Sequence, residues 1–436
     1  MKLAIVVQRY GVDISGGAEL HARYIAERLS SRTDVRVLTT CARDHVTWRN
    51  EFSPGLDEVG GIPVERFRVS RERSLPELGI RSRRVFLRLH SIQEELEWLE
   101  SEGPLSPGLV SRLRRSRGEF DFVVLFCARY YHAYHGARAV PDRAVLVPTA
   151  ERDPALGLGI FQSMFRGVRA IMYNSLEERA AIQAVSGNGQ VPGVVVGVGS
   201  DIPPGVAPAR ARQTFGLSKP FVLYVGRIDA NKGCRELFDL FLRYVAASDR
   251  DLDLVLIGAA TMPIPAHPRV RHLGFVDDRD KFDVLAAAEI LIMPSYYESL
   301  SMVALEAWAL GRPVLANAKC DVLLGQCLRS NAGLYYEDAT DFMAALDRLL
   351  DEPALAATLG RNGREYFRRH YSWPVIERKY LDMFDRLTSE SARAPMEPLP
   401  GWFARRRPTM PAAADVVANL PSGPAMHVQT STEVFA

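Results

Sequence analysis

The sequence predicts an α/β protein built from two consecutive doubly wound, Rossmann-like domains and a disordered C-terminal tail. Three features of its 436 residues lead there. Short, continuously apolar runs alternate with stretches of helical period, the pattern resets around 203–220, and it stops after 390.

The first domain, 1–202, opens with strand, glycine loop and helix. LAIVV (3–7) has no polar alternation, as expected of a strand buried on both faces of a parallel sheet. Residues 11–17 interrupt it, and 18–30 then place Leu20, Tyr24, Ile25 and Leu29 on one helical face. VRVLTT (35–40) completes a βαβ unit. Further strands are expected at 120–126, 143–149, 170–174 and 193–199. The intervening segment 81–117 reads as Arg-rich and helical, at 81–90 and 112–118.

The second domain, 203–372, is entered through the Pro- and Ala-rich segment 203–217. Its strands are expected at 221–226, 252–258, 270–275, 289–295 and 313–317, with helices at 234–248, 280–288, 302–310 and 341–350. A long amphipathic stretch, 371–387, follows. The tail, 391–436, has no apolar period, so nothing in it could pay for ordering a core. Its basic run, 403–408, reads as solvated.

Charge excludes one class of function. Fifty-four Lys+Arg against 52 Asp+Glu leave a formal charge of +2, too little for a dedicated nucleic-acid binder. The five Cys are scattered without metal or redox spacing, which suits a reducing cytoplasm and no disulfide framework. No apolar run reaches the length of a membrane span, and the N-terminal one is too short for a signal-peptide core. The expected location is therefore cytoplasmic. The Arg-rich helices would also allow peripheral contact with an anionic membrane surface, although solvated faces explain them equally well.

Three segments carry chemistry. In PSYYESLSMVALEAWALGRPV (294–314), Glu306 lies in an otherwise apolar helix, where a carboxylate is costly to bury without hydrogen-bond donors. Two sugar hydroxyls would serve, and so would an ion pair with an arginine. Glu298 precedes the helix and could cap it. Ser299, Leu300 and Ser301 lie at the helix start, where free N–H groups favour an anion. In LYVGRIDANKG (223–233), Arg227 and Lys232 sit with Gly226 and Gly233 on a strand-to-helix loop and form a seat for a leaving phosphate. Lys232 is one of only six lysines, in a chain that otherwise uses arginine for positive charge. In the third segment, Gly16 and Gly17 open the first helix and permit close backbone approach to a ligand. The motif is not the G-x-G-x-x-G of dinucleotide-binding oxidoreductases. Asp251 and Asp253 have metal-binding spacing, but they abut a strand and read as structural.

In this order, GGAE (16–19), VGRIDANKG (225–233), ESLSMVALE (298–306) and GRPV (311–314) resemble glycosyltransferase family 4 of the GT-B fold, over most of 1–390. The resemblance implies two domains facing across a cleft, with helix 373–390 packing back on the first. It implies a nucleotide diphosphate sugar donor and a glycan or lipid-linked acceptor. Transfer of the hexosyl group would proceed with retention, with no cofactor and no metal. By the same resemblance Glu306 holds the ribose, Glu298 lies against the donor sugar, and Ser299, Leu300 and Ser301 meet the diphosphate. Arg227 and Lys232 neutralise that diphosphate, Gly16, Gly17 and Gly226 line the cleft, and Val276 lies at the base pocket. The sequence departs from the family at one place. No His follows the strand 144–149, so Glu151 or Asp153 substitutes for it, or His135 supplies a replacement, or the donor site is altered. The alternative that follows is a catalytically degenerate GT-B protein that binds nucleotide or a partner transferase.

Overall fold

The computed structural model describes residues 1–14, 16–116, 118–391 and 413–418. The apolar runs become strands with both faces covered. The first sheet contains β1 (Lys2–Val6), β2 (Asp34–Thr40), β3 (Gly55–Val59), β4 (Ile62–Phe67), β5 (Phe122–Phe126), β6 (Ala144–Val147), β7 (Ala170–Tyr173) and β8 (Gly193–Val195). Their spatial order is β3-β4-β2-β1-β5-β6-β7-β8, parallel except for the antiparallel pair β3 and β4. The second sheet contains β9 (Phe221–Val225), β10 (Asp253–Ile257), β11 (Val270–His272), β12 (Ile290–Met293), β13 (Val314–Asn317) and β14 (Gly333–Tyr336). It is all parallel, in the order β11-β10-β9-β12-β13-β14.

Side chains alternate between two cores along each central strand. Leu3, Ile5 and Val7 face one apolar cluster, while Ala4 and Val6 face another. In β9, Phe221, Leu223 and Val225 join the first cluster, and Val222 and Tyr224 join a third. The first cluster runs through Trp373, Ile376, Tyr380 and Phe384 of helix Trp373–Ser389 and connects the inner faces of both sheets. That helix stacks Phe384 on Phe122, with centroids 5.2 Å apart. Arg169 ties down its end by donating to the carbonyls of Leu387, Glu390 and Ser391.

Several elements differ from expectation. The hairpin β3–β4 escaped the sequence because β3 is an exposed edge strand and β4 has no continuous apolar run, its buried Ile62, Val64 and Arg66 alternating with more exposed residues; β14 is four residues long. The helix expected at 81–90 spans Leu75–Leu87 and stops at extended Arg88. Ser91 and Glu94 then start Ile92–Glu102 with a reciprocal capping box. The second Arg-rich helix is Pro107–Arg115. Segment 203–217 includes helix Pro208–Phe215, fastened to helix Asp278–Ala287 of the second sheet by Arg210 and Asp283. Of the expected disordered tail, 391–436, Ala413–Ala418 forms a short helix, the Ser391 carbonyl accepts from Arg169, and the rest, including 403–408, lies outside the described residues.

Candidate active site

The second sheet presents its chemistry at the C-terminal ends of its strands, where the loops press together. A Cβ on Gly258 would lie 2.0 Å from the Gly226 carbonyl oxygen, and one on Gly233 (φ 72°) 2.0 Å from that of Pro294. Only glycine permits these approaches, and they bring the loops after β9, β10 and β12 to one place. Lys232 Nζ there donates to Glu298 Oε1 at 2.8 Å. Burial opposes the lysine's charge, but Glu298 and then Glu151 outweigh it and hold its pKa above the usual value. Arg227 pairs with Asp229, whose other oxygen accepts from the Lys232 N–H at 2.8 Å. Burial works against ionised Asp229, yet Arg227 and the Lys232 N–H hold its carboxyl below the usual range.

Glu306 sits in helix Met302–Ala309 and is 2% exposed. Its Oε1 accepts from Ser200 Oγ at 3.0 Å and from Lys281 Nζ at 3.1 Å. Its Oε2 is buried with no hydrogen-bond partner among the described residues. Burial raises its pKa against the pull of Lys281. The partner is therefore a lysine and a serine, not the arginine that sequence reasoning had allowed. Before this helix, Ser301 adopts φ 70° and ψ 86°, a left-handed conformation uncommon outside glycine, and its Oγ accepts from the Ala304 N–H. Such strain costs about 1–3 kcal/mol and is typical of ligand-binding turns. Buried Leu300 is anchored through its carbonyl by Gln326. Beyond β11, Gly274 has open space at its Cβ position, Phe275 is 77% exposed, and Val276 packs against the core.

The first sheet contributes from the opposite side. A Cβ on Gly16 would meet Glu19 Oε2 at 2.3 Å, because Glu19 folds back to accept from Arg9 Nε at 2.9 Å. Gly17 begins helix Gly17–Ser30 with nothing within 4 Å of its Cβ position. Ser15, beside them, lies outside the described residues. Nearby His45 is held below its usual pKa by burial and then by the charges of Arg9 and Arg227. Glu151 similarly feels Lys232 and Glu298, with burial raising its pKa most. Glu178 accepts from the N–H groups of Ala150 (2.6 Å) and Asn174 (2.5 Å) and so shapes the turn that carries Glu151. Arg152–Asp321 at 2.6 Å and Arg329–Glu177 at 3.0 Å join the two sides.

Arg227, Lys232, Glu298 and Glu151 are thus brought together. Asp153 and His135 are engaged elsewhere. Asp153 pairs with Arg129 and caps the turn Pro154–Gly157, accepting from the Leu156 N–H. His135 packs its ring against Tyr131 and Tyr134, at 4.3 and 5.0 Å between centroids. Asp251 is held by Lys219 at 2.9 Å and by Arg269, in keeping with a structural role. Sequence reasoning missed Lys281, Ser200 and Glu178. Lys281 had a signal, since it is one of the six lysines; the other two had none.

Residues 219–352 match the family model described as Glycosyl transferases group 1. The two parallel sheets and their helices match GT-B glycosyltransferase structures. One is sucrose-phosphate synthase from Thermosynechococcus elongatus, with TM-score 0.66 and 19% identity over 89% of this chain and 100% of that one. Another is the Anabaena protein Alr3699/HepE in complex with UDP-glucose, with TM-score 0.64 and 18% identity over 88% of this chain and 100% of that one. In sequence, the chain is 29% identical over 158 residues to the MMP alpha-(1->4)-mannosyltransferase of Mycolicibacterium hassiacum, covering 33% of this chain and 38% of the relative. The chain spans less than half the length of this and the next curated relatives it matches. Among the described residues no helix is long and apolar enough to cross a membrane.

Proposed function

We propose that the protein is a retaining family 4 glycosyltransferase, moving a hexosyl group from a nucleotide diphosphate sugar to a glycan or lipid-linked acceptor. Glu306 carries this reading. A buried carboxylate with one oxygen doubly hydrogen-bonded and the other unpartnered is a receptor for a hydroxyl. Ribose supplies that hydroxyl, the space above Gly17 admits the diphosphate, and Phe275 offers an exposed ring to the base.

As the glycosidic bond breaks, negative charge grows on the leaving diphosphate. Arg227 and Lys232, already positioned by Asp229 and Glu298, would stabilise it without reorganising. In this reading two fixed cations take the neutralising role, so chelators leave turnover intact. Glu151 stands in for the absent histidine, and its raised pKa favours a protonated carboxyl that can donate to a sugar hydroxyl. The protein would work in cell-surface polysaccharide or glycolipid synthesis, in the cytoplasm and peripherally on the membrane. The Arg-rich helices contribute less charge to that contact than their composition suggests. Arg81 pairs with Glu97 and Glu77, Arg84 with Glu94, and Arg112 with Glu65 and Glu119. Exposed Ile80, Leu87 and Leu89 supply the membrane-facing apolar surface instead.

The test is release of nucleoside diphosphate from UDP-, GDP- and ADP-sugars with a glycan acceptor. Glu306→Ala and Lys232→Ala should each lower turnover by about a hundredfold or more while the protein stays folded. Full activity in either variant rejects the assignment. Nucleotide binding without turnover on any donor favours the degenerate alternative.

A further inference from the structure

A cavity of about 850 Å³ opens on the side of the second sheet away from the cleft. Pro220, Leu252, Glu289 and Pro313 line it, and they immediately precede β9, β10, β12 and β13. It therefore lies at the N-terminal strand ends, whereas Lys232 and Glu298 follow the C-terminal ends.

Four arginines line this cavity: Arg250, Arg312, Arg361 and Arg364. Arg250 is taken by Asp347 and Asp351. The two carboxylates of the lining are also taken, Asp251 by Lys219 and Arg269, and Glu289 by Arg212 at 3.6 Å. The other three guanidiniums make neutral contacts only. Arg361 donates to Thr358 Oγ1 at 2.8 Å and Arg364 to the Leu310 carbonyl at 3.1 Å. Arg312 Nε is buried with no hydrogen-bond partner among the described residues. Burial lowers the Arg312 pKa, and repulsion from Arg212 and Arg364 adds to this against the attraction of Glu289.

The three arginines are also held together. Arg361 and Arg364 ride on helix Pro353–His370, and Arg312 follows helix Met302–Ala309. Gly360 and Gly363 seat the first helix on the second, since Cβ atoms there would lie 2.0 Å from the Gly311 carbonyl oxygen and 2.5 Å from Trp308 Cδ1. Guanidiniums that share one cavity with no carboxylate in ion-pair contact are unfavourable in isolation and favourable around an anion. Their planar donor forks match the oxygens of a phosphoryl group.

We propose that this cavity binds a phosphoryl dianion, held by Arg312, Arg361 and Arg364, at a site separate from the cleft. The test is calorimetric titration of the full chain with inorganic pyrophosphate. It is run on an Arg227→Ala, Lys232→Ala background, so that the cleft contributes no second anion seat. Arg312→Gln and Arg361→Gln should each weaken binding about tenfold or more, the loss expected for one charge-assisted hydrogen bond. Arg361 is exposed and bonded only within its own helix, so its variant keeps the fold intact. Co-sedimentation with phosphatidic acid–phosphatidylcholine vesicles separates the sources. Binding of pyrophosphate assigns a free metabolite, and binding of vesicles alone assigns a lipid headgroup, provided the same variants abolish it. If neither probe binds, or both variants bind like their parent, the proposal is overturned.

Discussion

Glu306 and Glu151 are both carboxylates that burial pushes toward the neutral form, yet they differ in what opposes it. Glu306 has an ammonium at 3.1 Å, whereas Glu151 feels Lys232 in competition with Glu298 and Asp153. Glu151 is therefore the residue whose protonation should show in the kinetics. Because its pKa is raised, it keeps its proton at pH values where an ordinary glutamate has lost it, and releases it as pH rises. If its O–H donates to the donor sugar, turnover should fall on the alkaline side. Glu151→Gln, which keeps an N–H donor at all pH values, should remove that limb from the pH–rate profile. An unchanged limb in the variant would assign the titration to another group. Little of this was legible in the sequence beyond the absence of a histidine, because the strongest charges acting on Glu151, those of Lys232 and Glu298, come from another part of the chain.

At the scale of elements, glycines decide what can touch. Gly360 faces a backbone carbonyl that cannot move aside, so Gly360→Ala should destabilise the protein by about 2–3 kcal/mol, read as a lower urea midpoint. Gly17 is the opposite case. Its Cβ position is empty and it lies in a helix, so Gly17→Ala should leave stability unchanged or raise it by about 0.5 kcal/mol. Donor affinity should nonetheless drop, because the new methyl would fill space assigned to the diphosphate. A Gly17→Ala variant that binds nucleotide like wild type would remove this glycine from the site. In sequence both are simply glycines; only the neighbours, one a carbonyl and the other empty space, separate them. For the same reason edge hairpin β3–β4 was missed. Exposed β3 needs no apolar signature, because it is held by antiparallel pairing with β4, which itself pairs with β2.

Over the whole molecule, buried histidines set the response to acid. Burial lowers the His21 pKa to about 3 and the His132 pKa to about 4. In the unfolded chain both would titrate near the ordinary value of about 6.5. As pH falls from there toward 4, the unfolded state takes up protons that the folded state refuses. Stability should drop by about 1.4 kcal/mol per pH unit for each histidine. Glu178, raised to about 8 by burial, acts oppositely, losing stability as pH rises from about 4.5 to 8. The histidines thus lower the urea midpoint at pH 5 relative to pH 7, opposed by the raised carboxyls Glu178, Glu151 and Glu306. His21→Leu should reduce that difference; an equal difference would show that His21 stays neutral in both states. His21 also lies beside Tyr380 of the terminal helix, at 3.4 Å, so its protonation would loosen the helix that links the two sheets. The sequence by itself determined the two doubly wound sheets, since continuous apolar runs can be buried only between helices on both faces. It also marked Arg227, Lys232, Glu298 and Glu306, because charge is conspicuous against apolar and glycine surroundings. Only the tertiary structure decided what those charges meet. Lys281 reaches Glu306 across 25 residues and Lys232 reaches Glu298 across 66, and a partner chosen by chain crossing leaves no periodic trace in a sequence.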